Sequence, residues 1–328
     1  MKKPNGFWAK LKKPIYTLAP MMDVTDAAFR KLIAIHGKPD VLFTEFISCD
    51  GICSPGKSRI IKILKYDNSE RPIVAQIFGK NPDTFYKTAQ IIAELGFDGI
   101  DINMGCPEKN ILKQGAGASL IETPDLAKEL IAATKEGAGN LPVSVKTRMG
   151  FKKNIIENWV TNLLEAKPEV ITMHLRTAKE MSKGKAHWDQ IDIVVELAKN
   201  SNTLVIGNGD IMSLEEADMI VEEKGIDGVM FGRAIFGNPW LFNRKIKKDD
   251  ISIQMILDVM VEHAQIYHDT FKGEKPFYII RKHLWAYSSG FVGAKELRVA
   301  LESTHNVDDV KDAIERFKNR KLMPPRYL

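Results

Sequence analysis

Asn103-Met104-Gly105-Cys106-Pro107 closes the apolar run Gly99-Ile100-Asp101-Ile102 with residues that can do chemistry. A thiol with the ordinary pKa of ~8.5 is protonated at neutral pH, so Cys106 can deliver a proton or can simply pack as a small hydrophobe. The Asn103 amide can both donate and accept. Gly105 and Pro107 provide the means to bend the backbone between them. In an extended strand, residues three apart point to opposite faces, so Asn103 and Cys106 serve one site only where Gly105 turns the chain.

Similar polar residues sit at the ends of other apolar runs. Ala19-Pro20-Met21 follows the first, Gln76 lies in the third, Lys146 and Arg148 are on the fifth, and His174 and Arg176 are on the sixth. Asn208, Gly209 and Asp210 follow the seventh run, and Gly232 and Arg233 the eighth. Strand periodicity puts Thr172, His174 and Arg176 on one face and groups Lys146 with Ser144 and Arg148. Inward cations need anionic partners, so an anionic or electron-rich ligand accounts for the set. Gly207-Asn208-Gly209-Asp210 and Gly232-Arg233-Ala234 form the expected phosphate grip, where backbone N–H groups freed by glycine can hold an anion. Taken alone, His174 reads equally as a satisfied strand histidine, and Lys146 could serve a Schiff-base aldolase. Cys49-x-x-x-Cys53 has no second ligand pair, so no metal is expected.

These residues need a scaffold that brings strand ends together. Apolar runs at 15–19, 41–46, 72–79, 99–104, 143–148, 169–177, 203–206 and 228–231 alternate with helical patterns. A loop is expected at 48–57. The helix after the fourth run starts at Thr123-Pro124, a cap followed by proline at the first helical position. A capping box, Ser213 with Glu216, opens the helix at 214–223. Eight such units without a glycine fingerprint in the first predict an α/β fold, a (β/α)8 TIM barrel, rather than a doubly wound sheet. From residue 249 the alternation stops. Helices are expected at 251–270, 276–289, 294–303 and 307–320, giving a barrel over 1–248 and a small all-helical domain over 249–328.

Composition narrows the function classes. Hydrophobic residues make up 44% of the 328, enough for a large core, while no apolar run approaches the ~20 residues of a membrane span. Three cysteines are too few for a disulfide framework, and no apolar leader precedes a cleavage site, so the expected compartment is the reducing cytoplasm. Residues 1–14 hold five lysines and no acid, residues 15–243 carry −4, and residues 244–328 carry +4. Basic ends suit a polyanionic partner or, equally, a solvated surface.

Taken in order, Ala19-Pro20-Met21, Gln76-Ile77-Phe78-Gly79, Asn103-Met104-Gly105-Cys106-Pro107, Lys146-Thr147-Arg148, His174-Leu175-Arg176-Thr177, Gly207-Asn208-Gly209-Asp210 and Gly232-Arg233-Ala234 resemble the tRNA-dihydrouridine synthases. The resemblance extends into Arg281-Lys282-His283-Leu284, Tyr287 and Gly290-Phe291, similar to the family's helical tRNA-binding domain. Its most specific part is Asn-Met-Gly-Cys-Pro followed by Gly115-Ala116-Gly117-Ala118. It implies a flavoprotein that holds FMN, takes electrons from NADPH and reduces the C5–C6 bond of uridine in the D-arm of tRNA. It implies Cys106 as general acid, with Asn103 and Arg176 on the uracil edge. Ala19, Pro20 and Met21 would lie under the flavin ring, with Gln76 and Lys146 as its polar partners and His174 toward the phosphate side. Asn208, Gly209, Asp210, Gly232 and Arg233 would cradle the phosphate. Arg281, Lys282 and His283 would meet the RNA. A monomer is expected. Leu175 stands where many relatives carry glycine, and the loop 179–188, with Lys183, Lys185, His187 and Trp188, matches no particular subfamily. Two other readings remain open. A barrel reductase of a free pyrimidine, like dihydroorotate dehydrogenase, has no use for a basic helical tail. An RNA-binding protein without turnover would lack the yellow of a flavin.

Overall fold

The computed structural model describes residues 4–321; Lys2 and Lys3 of the basic N-terminus and the last basic residue, Arg326, lie outside that range. Nine parallel strands carry the fold: β1 (Ile15–Leu18), β2 (Leu42–Phe43), β3 (Ile47–Ser48), β4 (Ile73–Phe78), β5 (Gly99–Met104), β6 (Val143–Arg148), β7 (Val170–His174), β8 (Leu204–Asn208) and β9 (Gly228–Phe231). They run in the order β1-β9-β8-β7-β6-β5-β4-β2, and a bridge between Thr17 and Val41 brings β1 back beside β2. That is an eight-stave α/β barrel, the expected fold. Its second stave is broken into β2 and β3, both paired to β4.

The expected loop at 48–57 is instead structured. Ser48 caps a short helix, Cys49–Ile52, by accepting from the Gly51 N–H at 3.2 Å, and a second helix follows at Lys57–Ile61. A serine cap with a glycine three residues on is a weak signal, and Pro55 and Gly56 masked it.

Pleat parity sets a gradient inside the barrel. At the N-terminal ends of the strands the inward residues are apolar: Ile15, Val41, Val74, Val170 and Leu204 pack together beneath Trp8. Trp8 sits on a 3₁₀ turn, Gly6–Lys10, and closes that end. Two residues further along the same faces come Gln76, Asn103, Lys146, Thr172 and Ile206, and then His174 and Asn208. Register aligns Asn103 with Lys146, and His174 with Asn208. The reactive residues thus gather at the C-terminal ends of the strands.

The described residues divide into two compact units. One ends its first segment at Thr25 and resumes from Pro39 to Ala234; the other takes Asp26–Lys38 and continues from Ile235. The expected division at 248/249 falls inside the second unit. That unit contains helices Ala27–His36, Ile253–Phe271, Arg281–Tyr287, Ala294–Leu301 and Val307–Lys321. The first of these, which follows β1 in sequence, buries Phe29, Leu32 and Ile33 completely and packs on Ile253–Phe271. Its cap, Asp26, accepts from the Phe29 N–H and from Lys275 Nζ, both at 3.0 Å. No helix among the described residues is long and apolar enough to cross a membrane.

Barrel closure gives a test. A Cβ at Gly228 would lie 2.0 Å from the Ile15 carbonyl oxygen, where β1 meets β9. Gly228→Ala should therefore lower stability by roughly 2 kcal/mol, the usual cost of overpacking. Thermal unfolding checks it, and an unchanged midpoint would contradict this account of the closure.

Candidate active site

A pocket opens at the C-terminal ends of β6, β7, β8 and β9, lined by Lys146, His174, Asn208 and Met230, and by Ala19, Pro20 and Met21 after β1. Its outer wall is Arg176, Gly209, Asp210, Gly232 and Arg233. Eleven of the expected site residues meet here, drawn from five separate strand ends. Ser182, Ile211 and Met212 also line it, and the sequence reading did not single them out.

Charge organises the pocket. Lys146 Nζ donates to Asn208 Oδ1 at 3.2 Å, and Asn208 Nδ2 in turn donates to the Met230 carbonyl at 2.8 Å, fixing the amide that holds the lysine. Burial and then repulsion from Arg148 pull the Lys146 pKa down to about 8, so the cation is the main form at neutral pH. His174 was expected to be cationic-capable, but burial and the charges of Lys146, Arg148, Arg176 and Arg233 push its pKa far below the usual range. It is a neutral imidazole there.

Asp210 bridges the outer wall. Arg176 donates to one carboxylate oxygen of Asp210, and Arg233 to the other at 2.7 Å. Burial alone would raise the Asp210 carboxyl, but Arg176, the Ala186 N–H and Arg233 hold it below its ordinary value. The carboxylate thereby fixes the directions of two guanidinium groups on the outer wall. Arg176 also donates to the Gly184 carbonyl at 2.6 Å, while its buried Nε has no protein partner. That orphaned donor, with Lys146 and the exposed Arg233, makes a donor set suited to a phosphorylated, electron-accepting ring system. The residues present therefore fit FMN. Arg176, expected at the uracil edge, lines the outer wall of this pocket beside Asp210.

Gly207, in the stretch expected to grip a phosphate, also meets a steric need. A Cβ there would come within 2.5 Å of the Trp188 ring, and Trp188 Nε1 donates to the Gly209 carbonyl at 2.9 Å. The glycine makes room for a tryptophan that braces the Gly209 stretch of the pocket wall. This assigns a place to the loop 179–188, whose lysines at 179, 183 and 185 are exposed.

The turn carrying Cys106 lies beside Lys146 and Arg148. Asn103 Oδ1 accepts from the backbone N–H groups of Gly105 (3.1 Å) and Cys106 (2.9 Å), which bends the chain out of strand geometry as parity demanded. The Cys106 carbonyl accepts from Ala118 N–H at 3.0 Å, and the space beside it admits only a glycine at 117. Arg148 clasps the turn through the Gly105 carbonyl at 2.7 Å, and donates also to the carbonyls of Thr177 and Met181. Cys106 is half-buried. Burial pushes its thiol up, against the lowering effects of the Glu108 N–H, Arg148 and Lys146.

Some expected residues are elsewhere. Gln76 is wholly buried below the pocket, with its side chain bonded to Asp101 and Asn103. In the second unit His283, expected at the RNA, is a core residue, 3% exposed, its ring tilted against that of Phe29 with centroids 4.2 Å apart. Arg281 is turned to the Thr304 carbonyl at 2.9 Å, and Lys282 is half-buried. Tyr278 and Trp285, not expected, are exposed.

Three comparisons bear on this site. The family model described as dihydrouridine synthase matches residues 17–322. The chain is 40% identical over 323 residues to a protein named probable tRNA-dihydrouridine synthase 2 from Bacillus subtilis, covering 97% of this chain and 98% of that one. A probable tRNA-dihydrouridine synthase from Staphylococcus aureus is 39% identical over 319 residues, covering 96% of each. Among solved structures, a 2-naphthoyl-CoA reductase complex aligns with TM-score 0.57 at 10% identity, covering 74% of this chain and 51% of that chain, a likeness of fold alone.

The raised Cys106 thiol has a direct readout. Alkylation followed peptide by peptide against pH should show Cys106 becoming reactive at a midpoint above the ~8.5 of free cysteine. A midpoint at or below that value would remove the claim that burial governs this group.

Proposed function

The chain belongs to the dihydrouridine synthase family, and from that premise we propose that it reduces the C5–C6 double bond of D-arm uridines in tRNA, holding FMN and drawing electrons from NADPH. The observation that carries the reading is a half-buried thiol on a hydrogen-bonded turn beside a cationic pocket at the mouth of a barrel. The bound flavin would supply the hydride for uracil C6.

The chain's own residues supply the rest. Cys106 delivers the proton to C5, and its raised pKa suits that task. A group with its pKa raised is protonated over a wider range, so the acid is available through neutral pH and is lost only as pH rises through the thiol pKa. Lys146 places a positive charge in the throat, where it favours an electron-rich ligand. Ala19, Pro20 and Met21 form the apolar floor, and Gly209, Gly232, Arg176 and Arg233 receive the phosphate. Asn103 keeps one amide hydrogen that its bond to Gln76 does not use, and that hydrogen can meet the uracil edge.

RNA is held by charge and stacking in this reading. Lys152, Lys153, Lys179, Lys183 and Lys185 are exposed on the loops after β6 and β7 of the barrel. Considered by itself, the second unit offers exposed Tyr278 and Trp285 for stacking. Acting on tRNA in this reading, the protein would work in the cytoplasm, as a monomer.

Two substitutions test the proposal. Cys106→Ala should keep its flavin and its reduction by NADPH, while reoxidation by unmodified tRNA slows by roughly 10²–10⁴, the range of general-acid catalysis; turnover on tRNA at the unsubstituted rate would sink the acid. Arg233→Ala should release FMN roughly tenfold more readily, as expected for one charged hydrogen bond. Unchanged flavin content after exhaustive dialysis would count against the phosphate cradle.

A further inference from the structure

Asp101 is a wholly buried carboxylate on β5 that the proposed reaction does not use. Its Oδ1 accepts from Ser144 Oγ at 2.6 Å and its Oδ2 from Gln76 Nε2 at 2.7 Å. Gln76 Oε1 accepts from Asn103 Nδ2 at 3.1 Å, and Asn103 Oδ1 accepts from the N–H groups of Gly105 and Cys106. These four groups form one directed chain from the barrel interior to the thiol-bearing turn.

Direction is what the carboxylate contributes. An ionised carboxylate can only accept, so Gln76 must point its NH₂ at Asp101 and its oxygen at Asn103. Asn103 must then point its NH₂ at Gln76, which leaves its oxygen for the two backbone N–H groups. Reversing either amide sets oxygen against oxygen or hydrogen against hydrogen among buried groups. Burial pushes the Asp101 carboxyl up to about 6, while Gln76, Ser144 and Lys146 keep it from rising further, so it is mainly ionised at neutral pH.

We propose that Asp101 is a positioning residue: acting through Gln76 and Asn103, it locks the turn that presents the Cys106 thiol. The catalytic meaning of that lock rests on the reading of Cys106 as proton donor, but the lock itself is measurable without turnover. Asn103 carries the constraint in both directions, because its oxygen is committed to the turn and its nitrogen is aimed by Gln76.

The three cysteines allow the test to be made within one molecule. Cys53 is exposed, Cys49 is buried, and Cys106 is intermediate. In the flavin-loaded protein, Asp101→Leu should raise the alkylation rate of Cys106 by iodoacetamide roughly tenfold, the factor expected when a buried hydrogen-bonded group loses its partner. Asp101→Asn, whose amide can still accept from Gln76, should raise it by less. Cys53 and Cys49 should keep their rates in both. With flavin reduced by dithionite, reoxidation by unmodified tRNA should slow in proportion, while half-saturation by tRNA stays unchanged. An unchanged Cys106 rate overturns the proposal, as does a Cys49 rate rising in parallel, which would mean general loosening, or a faster Cys106 with undiminished reoxidation. If the leucine variant does not fold, the asparagine variant decides, a Cys106 rate equal to the unsubstituted one counting against the lock. The proton-donor reading stands or falls separately, on Cys106→Ala.

Discussion

Positive charge has to be kept inside a barrel whose interior disfavours it, and much of the upper layer can be read as the answer to that constraint. Arg148 is satisfied by three backbone carbonyls and carries no carboxylate partner among its bonds. Arg176 is held by Asp210 and the Gly184 carbonyl, with one donor left over. Lys146 has Asn208 at hydrogen-bond distance and Asp101 as a favourable charge nearby. A cation kept with fewer partners than it could use is a standing attraction for an anion. His174, caught among these charges, stays neutral and can only offer a lone pair and an N–H.

The same layer explains why one end of the barrel is reactive and the other inert. The β1 and β8 staves contribute mainly apolar inward residues, and polar groups cluster on β4 to β7. Because hydrogen bonds between those groups run sideways from strand to strand, a change on one stave is felt on the next. The turn at Asn103 to Cys106 is therefore a property of β4, β5 and β6 together, rather than of its own four residues.

Much of this was legible in the sequence because alternation, caps and motif spacing are local. The eight strand runs, the helix at Leu214–Lys224 with its Ser213 cap, and the need for a bend at Gly105 all follow from neighbouring residues. What stayed hidden depends on partners distant in the chain. Asp101 reads as one more residue of a strand until Gln76 and Ser144 are placed on either side of it. Gly207 reads as a ligand glycine until Trp188 is seen in the space it leaves. His283 looks like part of a basic triplet, yet the helical period turns it toward Phe29 while Trp285 faces out. Trp8 lies before the first strand, where no periodicity could say that it would close the barrel floor.

The helix Ala27–His36 belongs to the second unit although it is spelled between the first two staves. Its packing partner, Ile253–Phe271, is made last-third late in synthesis. At ~5–20 residues per second, the apolar face with Phe29, Leu32 and Ile33 must wait on the order of tens of seconds for its cover. The chain thus spells one half of this helix pair more than two hundred residues before the other, so the second unit cannot close its core until nearly all of the barrel has been made.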